Sequence, residues 1–397
     1  MYVLHFINWF LGRSISGASI AMRKQDHDDA GPIDLRIGKI VGKRWQIIEK
    51  LGEGGCGSVY KVQDIHTMAK AALKAESNCI AGGSVLKLEV QILKRLQGRR
   101  YVAQLLQSAK KTLYSYVVMT LFGHSLNFLL KRCRCCSTST QVRVGINILY
   151  GIKQLHEVGF VHRDIKPANL AVGRRGKEVH VIHILDFGLA REFILNNSAG
   201  NVEIRPPRSR ALFRGTVHYC STNTHARKEQ GRADDLWSML YVLAEMKGPL
   251  PWDRIRGDEQ IGRVKSETSD AELFQGSPKE LIDIAAHVRT LGYLSRPDYH
   301  FIYRKLADVM YKGRYKFSDP FDWEKDKFPH RKNSRIKSKI KSRASNESRS
   351  TESKNLASKE DTKNGILADL TPQSDRSTDS EEDLFQEADF EKNELGF

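Results

Sequence analysis

The chain has 397 residues, 40% hydrophobic and 9% aromatic, with 64 Lys and Arg against 47 Asp and Glu, for a net charge of +17. That composition supports a sizeable core, and the length suits either one two-lobed enzyme with tails or two to three domain-sized units. Six irregularly spaced cysteines exclude a disulfide framework and point to a reducing compartment, while the positive charge asks for an acidic partner and says nothing of fold. At the start, Tyr2 to Leu11 is apolar apart from His5 and Asn8. It is about half the length a bilayer span requires, and it lacks the positive flank and small-residue cleavage site of a secretory signal. The readings left open are a membrane-touching segment, a disordered extension, or initiation at Met22. Residues 1–43 are expected to form a disordered leader.

Trp45 to Leu51 has the pattern of a strand, and Gly52-Glu53-Gly54-Gly55-Cys56-Gly57-Ser58-Val59 follows at once. Glycines at this spacing let backbone N–H groups come close to phosphates. A dinucleotide fingerprint shares the spacing but needs a helix directly afterwards. Ser58 to Val62 reads instead as a second strand, so Leu51, Gly52, Glu53, Gly54, Gly55, Cys56, Gly57 and Val59 are candidates to cover a nucleotide. Ala71-Ala72-Leu73-Lys74 resembles the V-A-I-K strand of protein kinases, which implies Ala72 against the base, Lys74 for the α- and β-phosphates and the roles given below to Glu89, Met119 and Leu121. Gly82-Gly83 releases a helix over Ser84 to Leu96, with Val85, Leu88, Ile92 and Leu96 on its buried stripe. Glu89 within it is the expected partner of Lys74. Tyr116 to Met119 reads as a strand, with Met119 behind the adenine and Leu121 offering it backbone hydrogen bonds. Cys133, Cys135 and Cys136 lie among Lys131, Arg132 and Arg134 without the paired elements of a zinc site, so a polar, exposed helix end or loop is expected.

Val142 to His156 reads as a helix, with Val144, Ile148, Ile152 and Leu155 on one face, delivering the chain into Val161-His162-Arg163-Asp164-Ile165-Lys166-Pro167-Ala168-Asn169. This string resembles the H-R-D-x-x-x-x-N catalytic loop of protein kinases, and Asp186-Phe187-Gly188 follows Asp164 by 22 residues. Phosphoryl transfer asks mainly for positioning and charge neutralisation around a γ-phosphate. The resemblance therefore implies Asp164 as base, Lys166 at the γ-phosphate, and Asn169 and Asp186 as Mg²⁺ ligands, with ATP as the nucleotide.

The basic stretch after Asp186 carries Arg205, Arg208, Arg210 and Arg214, and Ser221-Thr222-Asn223 stands where most protein kinases have A-P-E. With Arg205-Pro206-Pro207-Arg208, Phe213-Arg214-Gly215-Thr216-Val217, Asp234-Asp235-Leu236-Trp237-Ser238, Leu250-Pro251-Trp252, Ser295-Arg296-Pro297-Asp298-Tyr299 and Pro320-Phe321-Asp322-Trp323-Glu324, the chain resembles the casein kinase I superfamily, and within it the tau-tubulin kinases. Thr222 and Cys220 depart from the usual aliphatic residue and alanine of that pattern. The resemblance covers about Lys43 to Trp323. It implies an α+β bilobal protein kinase fold: a small antiparallel β lobe over 44–120, a mainly helical large lobe over 121–323, and a disordered tail over 324–397. It implies Ser/Thr specificity, from Lys166, and Asp235 as a brace beneath the catalytic loop. Arg296 is expected to lack its usual glutamate, and Arg208, Arg214 and Arg256 are expected to receive a phosphate on acidic or pre-phosphorylated protein substrates.

Arg331 to Arg343 carries Lys or Arg at seven of thirteen positions with no acid, and Asp379 to Glu394 is acidic with Leu384, Phe385 and Phe390. Blocks of like charge with few apolar residues read as disorder. The basic run suits a nuclear-import signal, a membrane or nucleic-acid contact, or a solvated tail. The acidic end, with Thr378 and Ser380, is expected to lie across the basic activation segment as an internal competitor of substrate. The whole reading is an active Ser/Thr kinase using MgATP in the cytoplasm, with nuclear entry open to it. A pseudokinase scaffold is the alternative, against which stands the complete set Lys74, Glu89, Asp164, Lys166, Asn169 and Asp186. A nucleic-acid-binding protein rests on net charge alone, with no recognition module, and stable membrane insertion has no segment to carry it.

Overall fold

The computed structural model describes residues 33–54, 57–79, 84–133, 135–197, 201–325 and 384–397. They fall into two compact units, Met1–Leu86 with Gln107–Val118, and Lys87–Leu106 with Met119–Phe397. The first is built on β1 (Ile40–Val41), β2 (Trp45–Gly54), β3 (Gly57–Asp64), β4 (Lys70–Ser77), β5 (Leu105–Lys110) and β6 (Tyr114–Thr120), in a sheet of order β1-β2-β3-β4-β6-β5. Strict alternation along β3 buries Ser58, Tyr60, Val62 and Asp64 on one face, as period two requires. Tyr60 and Val62 join Trp45, Ile47, Leu73, Tyr116 and Val118 in one core.

That core also takes Leu35 and Val41, which corrects the expectation of a disordered leader to residue 43. The Tyr60 hydroxyl accepts from the Leu35 amide at 2.9 Å and donates to the Ile33 carbonyl at 2.7 Å, while Val41 pairs with Trp45. Two buried side chains six positions apart, with Gly38 between them, have no period to announce them. Tyr2–Leu11, Met22, Gly55, Cys56, Thr378, Ser380 and the basic run Arg331–Arg343 lie outside the described residues.

The second unit is helical, with α1 (Val85–Leu96), α2 (Leu126–Leu130), α3 (Thr138–Glu157), α4 (Thr222–His225), α5 (Arg232–Glu245), α6 (Asp258–Glu267), α7 (Asp270–Leu273), α8 (Glu280–Arg289), α9 (Tyr299–Gly313), α10 (Asp322–Lys325) and α11 (Ala388–Glu391). Short strand pairs carry its working loops: β7 (Phe160–Val161) with β10 (Arg191–Glu192), β8 (Leu170–Val172) with β9 (Ile182–Ile184), and β11 (Ile194–Asn196) with β12 (Val202–Ile204). Its central helix is α3, buried on every side from Thr140 to Glu157, and its buried polar side chains are paired, Gln141 to the Leu243 carbonyl, Asn147 to the Arg143 carbonyl and Lys153 to Glu157. Among the described residues no helix is long and apolar enough to cross a membrane.

The cysteine cluster corrects a second expectation. Cys136 is buried, with Cys133 Sγ 3.6 Å away, and burial drives its thiol pKa far upward. Next to it, Ser137 caps α3 by accepting from the Thr140 amide, and its own amide and hydroxyl donate to Asp322 at 2.6 and 2.7 Å. Burial pushes the Asp322 carboxyl up, but hydrogen bonds from Ser137 and Thr140 outweigh it and hold the pKa at about 2. Stability from a depressed carboxyl is present above its ordinary value and lost as pH falls through the folded one. Asp322→Ala should therefore cost about 1–2 kcal/mol at neutral pH. In paired thermal melts, the gap to wild type should close between pH 3.8 and about 2.

The third correction concerns the tail. Leu384–Phe397 does not continue the expected disorder: Phe385 and Phe390 are fully buried against the second unit.

Candidate active site

In the first unit, β2 and β3 form the hairpin of the glycine motif, with Gly52 opposite Val59, Glu53 opposite Ser58 and Gly54 opposite Gly57. A strand, not a helix, follows the glycines, which removes the dinucleotide alternative. Gly57 has φ +103°, and a Cβ there would stand 2.2 Å from the Ala75 carbonyl oxygen. Only glycine allows this close approach of β3 to β4. Lys74 sits on β4 opposite Val59, buried, with Ala72 opposite Lys61, while Leu51 on β2 is exposed.

In the second unit, Glu89 is buried within α1, Met119 lies at the end of β6, and Leu121 follows it. The catalytic loop leaves β7 at Val161 and is held from below by α5. Asp235 accepts from the amides of His162 at 2.7 Å and Arg163 at 2.8 Å, and from His156 Nε2 at 2.8 Å. Burial raises the Asp235 pKa, but the His156 hydrogen bond leads a set of contacts that keeps it below the ordinary carboxylate value. Burial also lowers the His156 pKa, so the ring is neutral. A carboxylate can only accept, so Nε2 carries the proton, and Nδ1 accepts from the Tyr299 hydroxyl at 2.7 Å. Asp235 is the brace anticipated from the sequence; His156 and Tyr299 were seen there only as a helix end and a motif match.

Above this frame Asp164 is nearly buried. Its Oδ2 accepts from Lys166 Nζ at 2.7 Å and Asn169 Nδ2 at 3.1 Å, and its Oδ1 accepts the Thr216 hydroxyl at 2.6 Å. Lys166 also donates to Thr216 at 2.8 Å. Thr216 was missed as a site residue, although Gly215 before it carries the signal. Gly215 has φ +110°, and a Cβ there would lie 2.4 Å from the Arg163 carbonyl oxygen, so the activation segment crosses the catalytic loop where only glycine fits.

Asp186 is brought to this group because the Leu185 amide donates to the Asn169 carbonyl at 2.8 Å, and His162 packs edge-on to Phe187 at 5.6 Å. Asp186 has φ 62° and Arg163 φ 68°. Left-handed non-glycine residues cost energy and persist where surrounding contacts impose them, commonly at working sites. Asn169 and Asp186 thus bring hard oxygen donors from two adjacent loops, the donor chemistry a divalent cation on phosphate requires.

The basic segment is organised differently from expectation. Arg208 forks onto the buried Glu229, Nε to Oε2 at 2.5 Å and Nη2 to Oε1 at 2.9 Å, and Arg191 lies 3.3 Å from the same carboxylate. That fork raises the Arg208 pKa. Arg163 donates to the Leu189 carbonyl, and burial, aided by Arg191, lowers its pKa to about 10. Arg214 and Arg256 are exposed. Ser221 and Asn223, of the tripeptide replacing A-P-E, donate to Asp234 at 2.5 and 3.2 Å. Arg296, expected to lack a glutamate, finds Glu157 at 3.3 Å.

A family model described as the protein kinase domain matches residues 45–305. A Caenorhabditis elegans protein named as a serine/threonine-protein kinase is 46% identical over 302 residues, covering 75% of this chain and 87% of that protein. A Dictyostelium discoideum protein so named is 34% identical over 295 residues, 74% of this chain and 59% of its own length. An inactive tau-tubulin kinase of Caenorhabditis elegans is 35% identical over 253 residues, 60% of this chain and 87% of that protein. With the H-R-D and D-F-G loops joined as described, the match over residues 45–305 establishes that the chain belongs to the protein kinase family, as a protein serine/threonine kinase.

Proposed function

We propose that this kinase is catalytically active, uses Mg²⁺ with ATP, belongs to the tau-tubulin branch of the casein kinase I superfamily, and prefers acidic or pre-phosphorylated protein substrates. Membership in the protein kinase family implies ATP, a divalent metal ion and protein substrates in general. The observation that carries activity, against a pseudokinase scaffold, is the constellation of Asp164 with Lys166, Asn169 and Thr216 beside Asp186. Asp164 is held to receive the hydroxyl proton of the acceptor. Lys166 meets the γ-phosphate, Asn169 and Asp186 hold the metal, and Lys74, with Glu89 as its partner, meets the α- and β-phosphates. In the first unit Leu51, Gly52, Glu53, Gly54, Gly57, Val59 and Ala72 contact the nucleotide, and in the second Met119 and Leu121 do. When bound, the metal neutralises charge on the β- and γ-phosphate oxygens.

Substrate choice rests on the arginines. Because Glu229 already fills the fork of Arg208, that residue braces the activation segment, and the exposed Arg214 and Arg256 are the groups that meet an incoming phosphate. A planar guanidinium never loses its charge and can give a phosphate two hydrogen bonds. The test is kcat/KM on matched pre-phosphorylated and unmodified peptides. The double variant Arg214→Ala with Arg256→Ala should lose about ten- to a hundredfold on the phosphorylated peptide, the scale of a charge-assisted hydrogen bond, and much less on the other. Arg208→Ala should lower both alike. A selective loss in Arg208→Ala instead would return the phosphate contact to Arg208, and equal losses in the double variant would remove the preference altogether.

A further inference from the structure

The segment Leu384–Phe397 is seated on the second unit through three apolar anchors and a line of charges. Phe385 enters a nest of rings, 5.0 Å from Tyr150 and 5.4 Å from both Tyr101 and Phe317. Phe390, on α11, stacks on Tyr303 of α9 at 4.3 Å with planes 10° apart. Leu395 and Phe397 pack on Val161, Phe193 and Ile194. Between the anchors, Arg100 pairs with Asp389 at 2.6 Å, Arg99 forks onto Glu394, and His300 meets Glu387 at 2.5 Å. The acidic end therefore answers basic groups between α1 and β5 and on α9. The docking does not follow the expected path across the arginines of the activation segment.

Two sets of contacts run from this segment to the catalytic loop. Val161 immediately precedes His162-Arg163-Asp164, and it pairs with Arg191 at the start of the activation segment. The buried members of the small apolar cluster beneath it are Val161, Phe193 and Ile194, and two of the three side chains packed around them, Leu395 and Phe397, come from the tail. The second set passes through the backbone. The Lys392 carbonyl accepts from Arg296 at 3.0 Å, and the Glu394 amide donates to Glu157 at 2.5 Å. Arg296 lies over the Tyr299 ring at 5.2 Å, and Tyr299 with His156 holds Asp235, the brace of the loop.

We propose that Leu384–Phe397 is a positioning element of this kinase: docked in cis, it holds β7 and the catalytic loop in working geometry, so that its release lowers turnover. This rests on the kinase reading above. Catalysis here depends on placement, and a displacement of about 1 Å is worth roughly a hundredfold in rate, so loss of one wall of the cluster beneath Val161 acts on turnover more than on nucleotide affinity.

The test uses the full chain and two ways of releasing the segment, Phe390→Ala in its anchor and the surface pair Arg99→Glu with Arg100→Glu in its receptor. Three quantities are read: kcat and KM for ATP on one protein substrate, amide hydrogen exchange over residues 159–164 and 191–196, and rescue of Phe390→Ala by a synthetic peptide of residues 384–397. Both variants should lose about tenfold in kcat with KM for ATP changed by less than about twofold, and exchange should quicken in both stretches. The peptide should restore kcat to Phe390→Ala and not to the charge-reversed protein, and the same peptide carrying the Phe390→Ala change should restore neither. If Phe390→Ala does not fold, the charge-reversed protein, altered at the half-buried Arg99 and the exposed Arg100, decides kcat and exchange, with its thermal melt checked against wild type. Turnover equal to or above wild type in the released proteins, or a loss that no peptide restores, overturns the proposal. An inactive wild-type chain in the same assay counts against the kinase reading, and the exchange comparison still decides whether the segment holds the loop.

Discussion

Asp164→Asn should lower kcat by about two to four orders of magnitude, the range for a lost general base, while ATP binding stays close to wild type. The amide keeps the size of the carboxylate, and its oxygen can still accept from Lys166 or Thr216, so the loop keeps its shape. With that oxygen at the Oδ2 position, now 2.7 Å from Lys166 and 3.1 Å from Asn169, the amide nitrogen stands at the Oδ1 position, where it can donate to the Thr216 hydroxyl but cannot take up a proton. The proton acceptor acts in the transition state, so the loss falls on kcat and on kcat/KM together, which initial-rate kinetics with ATP titration reads directly. Near-wild-type turnover would remove Asp164 from its role.

Asp186→Asn should abolish transfer by a different route. Asp186 sits at φ 62°, a conformation that asparagine tolerates better than most residues. The substitution therefore keeps the backbone turn, its amide oxygen can accept from the Gly188 amide as Oδ1 does at 3.3 Å, and the charge is removed. A divalent metal ion held by Asp186 would lose an anionic ligand, so the metal concentration needed for any residual activity should rise about tenfold or more, by the scale of a lost charged contact. Thermal melting without nucleotide should stay close to wild type. Activity that does not respond to metal concentration in this variant would contradict the assignment of Asp186.

The chemistry was legible in the sequence because it is local. His162 to Asn169 and Asp186 to Gly188 hold their spacing for reasons of reach, and the same compactness revealed the glycine hairpin and the helices carrying Glu89 and Ile148. What escaped notice is made of single residues meeting across long stretches of chain. Leu35 and Val41 join the core without a period. Cys136 reads as one of a polar run, yet lies buried beneath the cap of α3. The Arg208 fork depends on Glu229, 21 residues on, and no spacing rule connects them. The last stretch, Leu384–Phe397, was misread for a more general reason: composition describes what a segment can bury in itself, whereas Phe385 and Phe390 bury themselves in a surface already made, and Arg99 reaches Glu394 across 295 positions.

The buried carboxylate of Asp235 separates shape from chemistry. Held by His156 and Tyr299, it fixes the amides of His162 and Arg163 directly, without calling on Asp164 or Asp186. A lineage can thus discard transfer by a single nucleotide change at either aspartate and keep the fold, the docked tail and every surface a partner reads. Selection acting on folding alone would not notice the loss. Inactive descendants of such an enzyme are therefore cheap to produce and slow to purge, and only the reacting side chains themselves record which branch still works.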